Sequence, residues 1–261
     1  PTYIINDLRS MSYRNMYMLK LAFAYARKSY VEDSISQNIP EHLLKMTVTL
    51  AELSFLLSEY SESMKYAIQG IKMAQEKENK KAESKLFFCI GENKRMLSFK
   101  EEGYENFDKA IQLLGDTQDL KEMAMLSYFY GVKMGYLVDD SNFDEALATG
   151  LEREKIINKM NLFPNKPGYI DQQYAYVYSK LAFICYMKQL YAQAETYFKK
   201  YQSTQAALTP DGKYDAVPYL LMTKQYHEIL NICDDFKKVL RQQDTLNVQY
   251  IGVLQKEIKA Y

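Results

Sequence analysis

Histidines and paired acidic residues are the side chains of this sequence whose types could support acid–base or metal chemistry. The chain has only two histidines, His42 and His227. Neither has a partner at the spacing of a metal site or a catalytic triad, so both are predicted to be surface or helix-end residues. The adjacent acids Asp139–Asp140 and Asp234–Asp235 cannot easily converge on one substrate, because neighbouring residues on a helix point in different directions.

The cysteines and the known catalytic motifs give no stronger signal. Cys89, Cys185 and Cys233 are far apart, odd in number and in no C-x-x-C pair. A disulfide framework or a zinc site is therefore not predicted, and each cysteine is interpreted as a buried free thiol in an apolar helical run. The motifs H-E-x-x-H, G-x-S-x-G, G-x-G-x-x-G and the Walker-type phosphate loop do not occur. We therefore expect no enzyme activity and no cofactor.

Charge and hydropathy exclude further classes of protein. The chain has 33 basic and 33 acidic residues and no net charge, whereas nucleic-acid binders usually carry a basic excess. Residues 76–85 contain four lysines with three glutamates among them, which is typical of a solvated helix face. No run of 18 apolar residues occurs, so no membrane insertion is predicted.

Small residues recur at a regular spacing along the chain and indicate repeated pairs of helices. Ala51, Gly91 and Gly131 follow one another at intervals of 40 residues. In each repeat a small residue on a first helix is followed, about twelve residues later, by a small residue on a second helix. An aromatic or small residue follows at +4 and another small residue at +3, as in Gly91, Gly103, Phe107 and Ala110. Small residues at this spacing predict antiparallel helices that cross closely.

Helix-start and helix-stop signals separate the repeats. Asp119-x-x-Glu122 and Asn142-x-x-Glu145 are capping-box patterns. Residues 164–168 and 209–212 contain the strongest helix breakers, and we interpret both as seams between repeats. The content of Gly and Pro, 10 and 6 residues, is low for a turn-rich β protein.

This pattern resembles the tetratricopeptide repeat (TPR) family, and the segment Leu181-Ala182 through Phe198 is the best single match. The resemblance implies one all-α domain over residues 1–261, a right-handed superhelical solenoid of about five to six repeats. The approximate repeats are 1–38, 41–79, 80–116, 119–163, 169–208 and 213–241, with a half repeat at 244–261. Trp is absent and the period is longer than the usual 34 residues, which is similar to the long-helix repeats of bacterial sensory regulators.

In this family, ligands lie along a concave groove lined by the first helix of each repeat. Carried over by position, the resemblance implies a peptide groove with mixed charge at its N-terminal end and aromatic and Met residues toward its C-terminal end. Its candidate residues are Phe88, Arg95, Tyr128, Tyr136, Tyr176, Phe183, Tyr186 and Met187. The family's chaperone-tail binders clamp a carboxylate with Lys and Asn, but Val48, Glu52, Phe88 and Glu92 stand at those positions here, so no such clamp is expected.

The C-terminal segment 244–261 is predicted to be one amphipathic helix. Leu246, Tyr250, Val253 and Leu254 recur at three- and four-residue steps, and Ile251 and Ile258 widen the stripe. A second helix would complete this repeat, and we expect the chain to be a piece of a longer protein. An uncovered apolar strip favours association, so self-association through Leu254 and Ile258 is predicted.

Three classes of function remain at this stage. The leading hypothesis is a protein- or peptide-binding scaffold, the sensory or partner-binding region of a larger bacterial regulator. The alternative is a structural assembly factor, soluble or lipid-anchored, that docks other subunits. An enzyme is the least favoured class, because no catalytic motif is present. Flanking sequence decides between periplasmic and cytoplasmic location.

Overall fold

The computed structural model describes the backbone of residues 1–242 and 248–260 and the side chains of residues 1–238 and 253–259. Helices hold 82% of the described residues, and this part of the chain contains no strand, which confirms the predicted all-α fold. The α-helices are Thr2–Asn15 (α1), Leu19–Ser36 (α2), Pro40–Leu56 (α3), Tyr60–Glu76 (α4), Lys80–Met96 (α5), Lys100–Leu114 (α6), Leu120–Asp139 (α7), Phe143–Asn161 (α8), Ile170–Met187 (α9), Tyr191–Gln202 (α10), Pro210–Asp215 (α11), Val217–Met222 (α12), Tyr226–Gln242 (α13) and Val248–Ala260 (α14).

The turn inside each of six helix pairs follows the same backbone path. The second residue after the first helix takes a positive φ of 56° to 69° in every pair, at Tyr17, Ser58, Ser98, Ser141, Gln189 and Lys224. The amide of the following residue then donates to a carbonyl five residues back, as Phe99 does to Lys94 over 2.8 Å. This arrangement is a Schellman motif, which satisfies the last carbonyls of the first helix and reverses the chain.

Small residues lie where the two helices of a pair cross, as the 40-residue spacing predicts. A Cβ atom on Gly91 would lie 2.6 Å from the ring of Phe107, so a larger residue there would push α5 away from α6. Ser10 holds the same position on α1, and its hydroxyl donates to the carbonyl of Ala22 over 2.8 Å. Helix α1 is therefore the first helix of the N-terminal pair.

The chain divides into two compact units, Pro1–Thr117 (unit 1) and Gln118–Tyr261 (unit 2). Unit 1 contains three helix pairs, from α1 to α6. Its core is built from the inward-facing aliphatic side chains of α3 and α5 and the small residues of α2 and α4. Leu50, Leu53 and Leu86 are fully buried, and burial of such side chains is the main stabilising contribution to each pair.

Unit 2 contains the pairs α7–α8 and α9–α10, a short insertion, the pair α12–α13 and helix α14. The insertion carries a 3₁₀ turn, Ala206–Leu208, and helix α11, which begins at the predicted breaker in residues 209–212. Asp171 on α9 accepts a hydrogen bond from the amide of Ala206 over 2.5 Å. The hydroxyl of Tyr201 donates to the carbonyl of Gly212 over 2.9 Å, so both anchors fix the insertion against α9 and α10.

The cysteines are buried free thiols, as the sequence predicts. Burial raises the pKa of the Cys89 thiol to about 12 and that of Cys185 to about 11. Both thiols therefore stay protonated and unreactive at neutral pH. Within the described residues, none of the helices is both long enough and apolar enough to span a bilayer.

Candidate ligand-binding groove

A groove of about 520 Å³ runs along the first helices of unit 1. Helix α3 forms its floor from Glu41 to Glu52, twelve residues that span roughly 16 Å of helix at 1.5 Å per residue. Helix α1 contributes Met11 and Arg14 at one side, and the start of α5 contributes the other side. The lining is mostly charged, with an apolar strip that includes Leu44 and Val48, so the groove suits a ligand with its own charges.

Ion pairs fix the charged side chains along this groove. Arg14 on α1 contacts Glu52 on α3 over 2.7 Å, and Lys45 contacts Asp7 over 2.5 Å. The Lys85 ammonium lies 4.0 Å from Glu52, which is too long for a hydrogen bond. The side chains of Lys45 and Lys85 remain 52% and 40% exposed, so both ammonium groups can reach a ligand.

Glu92 occupies, one repeat later, the same position as Glu52. Its side chain is partly buried, and within the described residues its carboxyl has neither a hydrogen bond nor an ion pair. Burial, together with the negative charge of Glu52, raises the pKa of Glu92 to about 8. Glu92 therefore interacts electrostatically with Glu52 of the groove, although Glu92 does not itself line the groove.

Two of the candidate groove residues in unit 1 belong to the packing between α5 and α6. Phe88 is only 3% exposed, and its ring centroid lies 5.0 Å from that of Phe107. Phe88 is therefore a core residue and does not face a ligand, contrary to the expectation. The guanidinium of Arg95 lies 4.9 Å over the ring of Tyr104, and its stem covers Gly103, so Arg95 points toward α6.

Unit 2 places the six other candidates on its first helices, in three different environments. Tyr128 is 54% exposed and Met187 is 39% exposed, whereas Tyr136 is half-buried. Phe183 and Tyr186 pack against the buried core around Tyr219, and the Tyr186 ring centroid lies 6.0 Å from that of Tyr219. Tyr128 and Met187 are thus the candidates with the most surface to offer a ligand.

Tyr176, the remaining candidate, lies over a buried arginine. The guanidinium carbon of Arg153 is 4.6 Å from the ring centroid of Tyr176, and Nη2 of Arg153 donates to Gln173 over 2.7 Å. Arg153 is 5% exposed, its Nη1 has no hydrogen-bond partner in the described part, and its side chain fills the space beside Gly131. Burial lowers the pKa of Arg153. This cluster was not predicted, although an arginine stands where the repeat pattern calls for a small residue.

His42 lies in the first turn of α3, a helix end as predicted, but it has close partners that its spacing in the sequence conceals. Its Nδ1 lies 2.9 Å from Asp33 and its Nε2 lies 3.4 Å from the hydroxyl of Ser29. These distances resemble a serine–histidine–aspartate triad, but the Ser29 hydroxyl is fully buried and donates to the carbonyl of Tyr3 over 2.6 Å. A substrate cannot reach this hydroxyl, so we assign the cluster to the joining of α1, α2 and α3.

The candidate association face lies on α14, which packs against α12 and α13. Val253 is buried, whereas Leu254 is 38% exposed and Ile258 is 72% exposed. Leu246 and the side chains of Tyr250 and Ile251 lie outside the described residues. Leu254 and Ile258 therefore present an apolar strip to the surface.

Comparison with known proteins identifies the fold. No protein-family model and no curated protein sequence matches the chain. Among solved structures, the apo form of RapI is 15% identical over 100% of this chain and 97% of RapI, with a TM-score of 0.64. NprR, solved with its cognate peptide NprX, is 17% identical over 98% of this chain and 73% of NprR, with a TM-score of 0.60.

Aspartyl phosphate phosphatase F from Bacillus subtilis is 14% identical over 99% of this chain, with a TM-score of 0.60, and this chain spans 58% of that protein. These structural neighbours are helical-repeat proteins of the TPR-like type. The chain therefore has a TPR-like fold, as the repeat pattern predicts. Identities this low establish the fold alone.

Proposed function

We propose that this chain is a protein- or peptide-binding scaffold whose ligand lies along the first helices of its repeats. The observation that carries this proposal is the groove of about 520 Å³ in unit 1, formed by α1, α3 and α5. Grooves of this size bury an anchoring part of a peptide, and their charged side chains fix its orientation. NprR, which has the same fold, was solved with a peptide bound.

Within this function, we place the chain in the sensory or partner-binding part of a larger bacterial regulator. RapI and NprR share the fold over almost the whole of this chain. Exposed Tyr128 and Met187 in unit 2 add a second surface of the aromatic and flexible type that peptides use. A structural assembly factor is the second candidate. The exposed apolar side chains Ile5 and Leu8 on α1, 49% and 60% exposed, favour docking onto another subunit.

Binding to an immobilised array of capped octapeptides tests the scaffold function. We expect the full chain to bind a subset of sequences with micromolar affinity, roughly −8 kcal/mol. The Thr49→Trp variant, which narrows the groove floor, should lose this binding, because Thr49 lines the groove.

Lys65→Trp is the matched control, because Lys65 is exposed on α4 and outside the groove. Binding that survives Thr49→Trp would remove the groove from the proposal. An array on which no sequence binds would leave the assembly factor as the better candidate.

A further inference from the structure

The groove of unit 1 has more cations than anions among the side chains that line it. Of the described residues around the groove, five carry a positive charge and two carry a negative charge. The cations are Arg14, Lys45, Lys77, Lys81 and Lys85, and the anions are Glu41 and Glu52. The whole chain has equal numbers of basic and acidic residues, so this surface departs from the average of the chain.

Both acidic side chains of the groove already have a cation beside them. Arg14 contacts Glu52 over 2.7 Å, and the Lys85 ammonium lies 4.0 Å from the other oxygen of the same carboxylate. Lys77 contacts Glu41 over 2.9 Å. The acids are thus spread among the cations and do not form an acidic end. A basic ligand would meet like charges and would have to displace an existing ion pair to reach either carboxylate.

Lys85 and Lys45 keep hydrogen-bond donors for an acidic ligand. The Lys85 side chain is 40% exposed, and its ammonium donates to none of the described residues. Lys45 donates to Asp7 over 2.5 Å, but its side chain is 52% exposed and an ammonium has three donors. Asp7 is buried, so a ligand in the groove contacts the Lys45 ammonium and not the Asp7 carboxylate. With Asp7 counted, five cations still stand against three anions, a surplus of two positive charges.

The start of helix α5 adds to this positive potential. Asn79, the N-cap, and Lys81 and Ala82 of the first turn line one side of the groove. The N-terminus of a helix carries roughly half a positive charge. The amide of Ala82 donates to the Asn79 side chain over 3.0 Å, which fixes the backbone here. Glu83, the acid of this turn, accepts from Gln75 and does not line the groove.

A peptide fits this surface better than a nucleic acid does. None of the described residues that line the groove is aromatic, so bases would have no ring on which to stack. A phosphate chain carries a charge on every nucleotide and would meet Glu41 and Glu52, whereas the acidic side chains of a peptide can lie apart from them. Leu44, Val48 and the half-exposed Met11 supply an apolar contact that suits an aliphatic side chain.

We propose that the unit 1 groove takes an acidic peptide segment that carries at least two carboxylates and one aliphatic side chain. The carboxylates accept from Lys45 and Lys85, and the aliphatic side chain packs on Met11 and Val48. The floor of roughly 16 Å accommodates about five residues of extended peptide at about 3.1 Å per residue. This inference rests on the proposed peptide-binding function and names the class of peptide.

The test uses capped octapeptides that carry a net-neutral rhodamine dye. Their central segment is X-X-Leu-X-X in a common alanine frame, where X is Glu, Gln or Lys throughout. By fluorescence anisotropy at low salt, we expect the Glu peptide to bind about tenfold tighter than the Gln peptide, and the Lys peptide to bind more weakly than both. Because the contacts lie near the surface, this preference should shrink to about twofold at roughly 0.5 M salt.

Two variants at one exposed cation test where the preference comes from. Lys85→Gln should lower the ratio of the Glu-peptide to the Gln-peptide affinity about threefold, and Lys85→Glu should nearly abolish the preference. Lys65→Glu is the matched control, because Lys65 is exposed on α4 and outside the groove. Thermal unfolding followed by circular dichroism shows whether each variant is folded like the wild type.

Each other outcome overturns a different part of the proposal. Equal affinity for the Glu and Gln peptides at low salt, or tighter binding of the Lys peptide, would overturn the acidic preference and leave peptide binding intact. A preference that Lys85→Glu leaves unchanged would place the acidic contact outside the groove. Tighter binding of a dye-labelled thymidine octanucleotide than of the Glu peptide would assign the groove to a phosphate chain. If none of the three peptides binds, peptide binding in this groove is itself wrong.

Discussion

The same repeat position is core in unit 1 and surface in unit 2. Val48, Phe88 and Tyr128 follow one another at 40-residue intervals, on α3, α5 and α7. Val48 and Phe88 are 7% and 3% exposed, whereas Tyr128 is 54% exposed. A repeat in the sequence therefore identifies equivalent positions, but burial depends on what each helix packs against.

The point where the two helices of a pair cross also differs between unit 1 and unit 2. Gly91 in unit 1 and Gly131 in unit 2 are equivalent, and each receives a large side chain from the second helix of its pair. The side chain is the ring of Phe107 in unit 1 and the guanidinium of Arg153 in unit 2. The crossing of α5 and α6 in unit 1 is thus apolar, whereas the crossing of α7 and α8 in unit 2 buries a cation.

The largest expected effect comes from truncating the equivalent aromatic residues. Phe88→Ala should destabilise the protein by about 3–5 kcal/mol, because it removes a buried ring that packs on Phe107. Tyr128→Ala should stay within about 0.5 kcal/mol, as for other surface positions. Urea unfolding followed by circular dichroism measures both. Equal losses would show that Tyr128 is covered and that the two units are alike at this position.

The regular features of both units can be predicted from the sequence, whereas the features that depend on tertiary contacts cannot. Both predicted N-caps are present, since the amides of Glu122 and Glu145 donate to the side chains of Asp119 and Asn142 over 2.9 and 3.4 Å. The positive-φ residue in each of the six turns inside the helix pairs is not a glycine, so glycine positions do not predict these turns. His42 contacts Asp33 because the end of α2 and the start of α3 are adjacent in space. The different burial of Phe88 and Tyr128 depends on the residues that pack against each of them.

The pH dependence of stability should differ between the units. Burial raises the pKa of Glu92 in unit 1 from 4.5 to about 8, and that of Asp215 in unit 2 from 3.8 to about 6. Each folded state holds a proton that the unfolded chain has released, so stability falls as pH rises from the unfolded pKa to the folded one. The fall ends near pH 8 for Glu92 and near pH 6 for Asp215.

Glu92→Gln should abolish the part of this loss between pH 6 and pH 8, roughly 2–3 kcal/mol at about 1.4 kcal/mol per pKa unit. Asp215→Asn should flatten only the loss below pH 6 and serves as the matched control. Chemical denaturation at pH 5, 6, 7 and 8.5 gives the four points needed. A wild-type protein with constant stability from pH 6 to 8.5 would mean that Glu92 is already ionised and paired.

A methyl group added at each of the two crossings should change the free energy of unfolding by a smaller amount, and by different amounts in the two units. Gly91→Ala brings a Cβ within 2.6 Å of the Phe107 ring, and we expect a net cost of about 1–2 kcal/mol from overpacking. Gly131→Ala meets the flexible tip of Arg153, so its cost should nearly cancel against the gain in helix propensity, about 1 kcal/mol.

Gly135→Ala is the control for these two variants, because a Cβ there meets nothing within 4 Å. It should stabilise the protein by about 0.5–1 kcal/mol through helix propensity alone. A cost at Gly131 as large as that at Gly91 would show that the hydrogen bond to Gln173 and the contact with Tyr176 hold Arg153 rigidly.

The smallest expected effect concerns the apolar faces of α1 in unit 1 and α14 in unit 2. Ile258 is 72% exposed and Leu254 is 38% exposed, and Ile5 and Leu8 on α1 are exposed to a similar degree. Two side chains bury far less than the roughly 1,200 Å² of a stable interface, so self-association through α14 should have a dissociation constant of about 100 μM or weaker. Light scattering over a concentration series should show it, and the double variant Leu254→Glu, Ile258→Glu should remain monomeric. The matched pair Ile5→Glu, Leu8→Glu should leave the association unchanged, because the predicted contact lies on α14. If the double variant on α1 abolishes the association and the double variant on α14 does not, the associating face belongs to unit 1. The interpretation of α14 as an uncovered half repeat is then wrong.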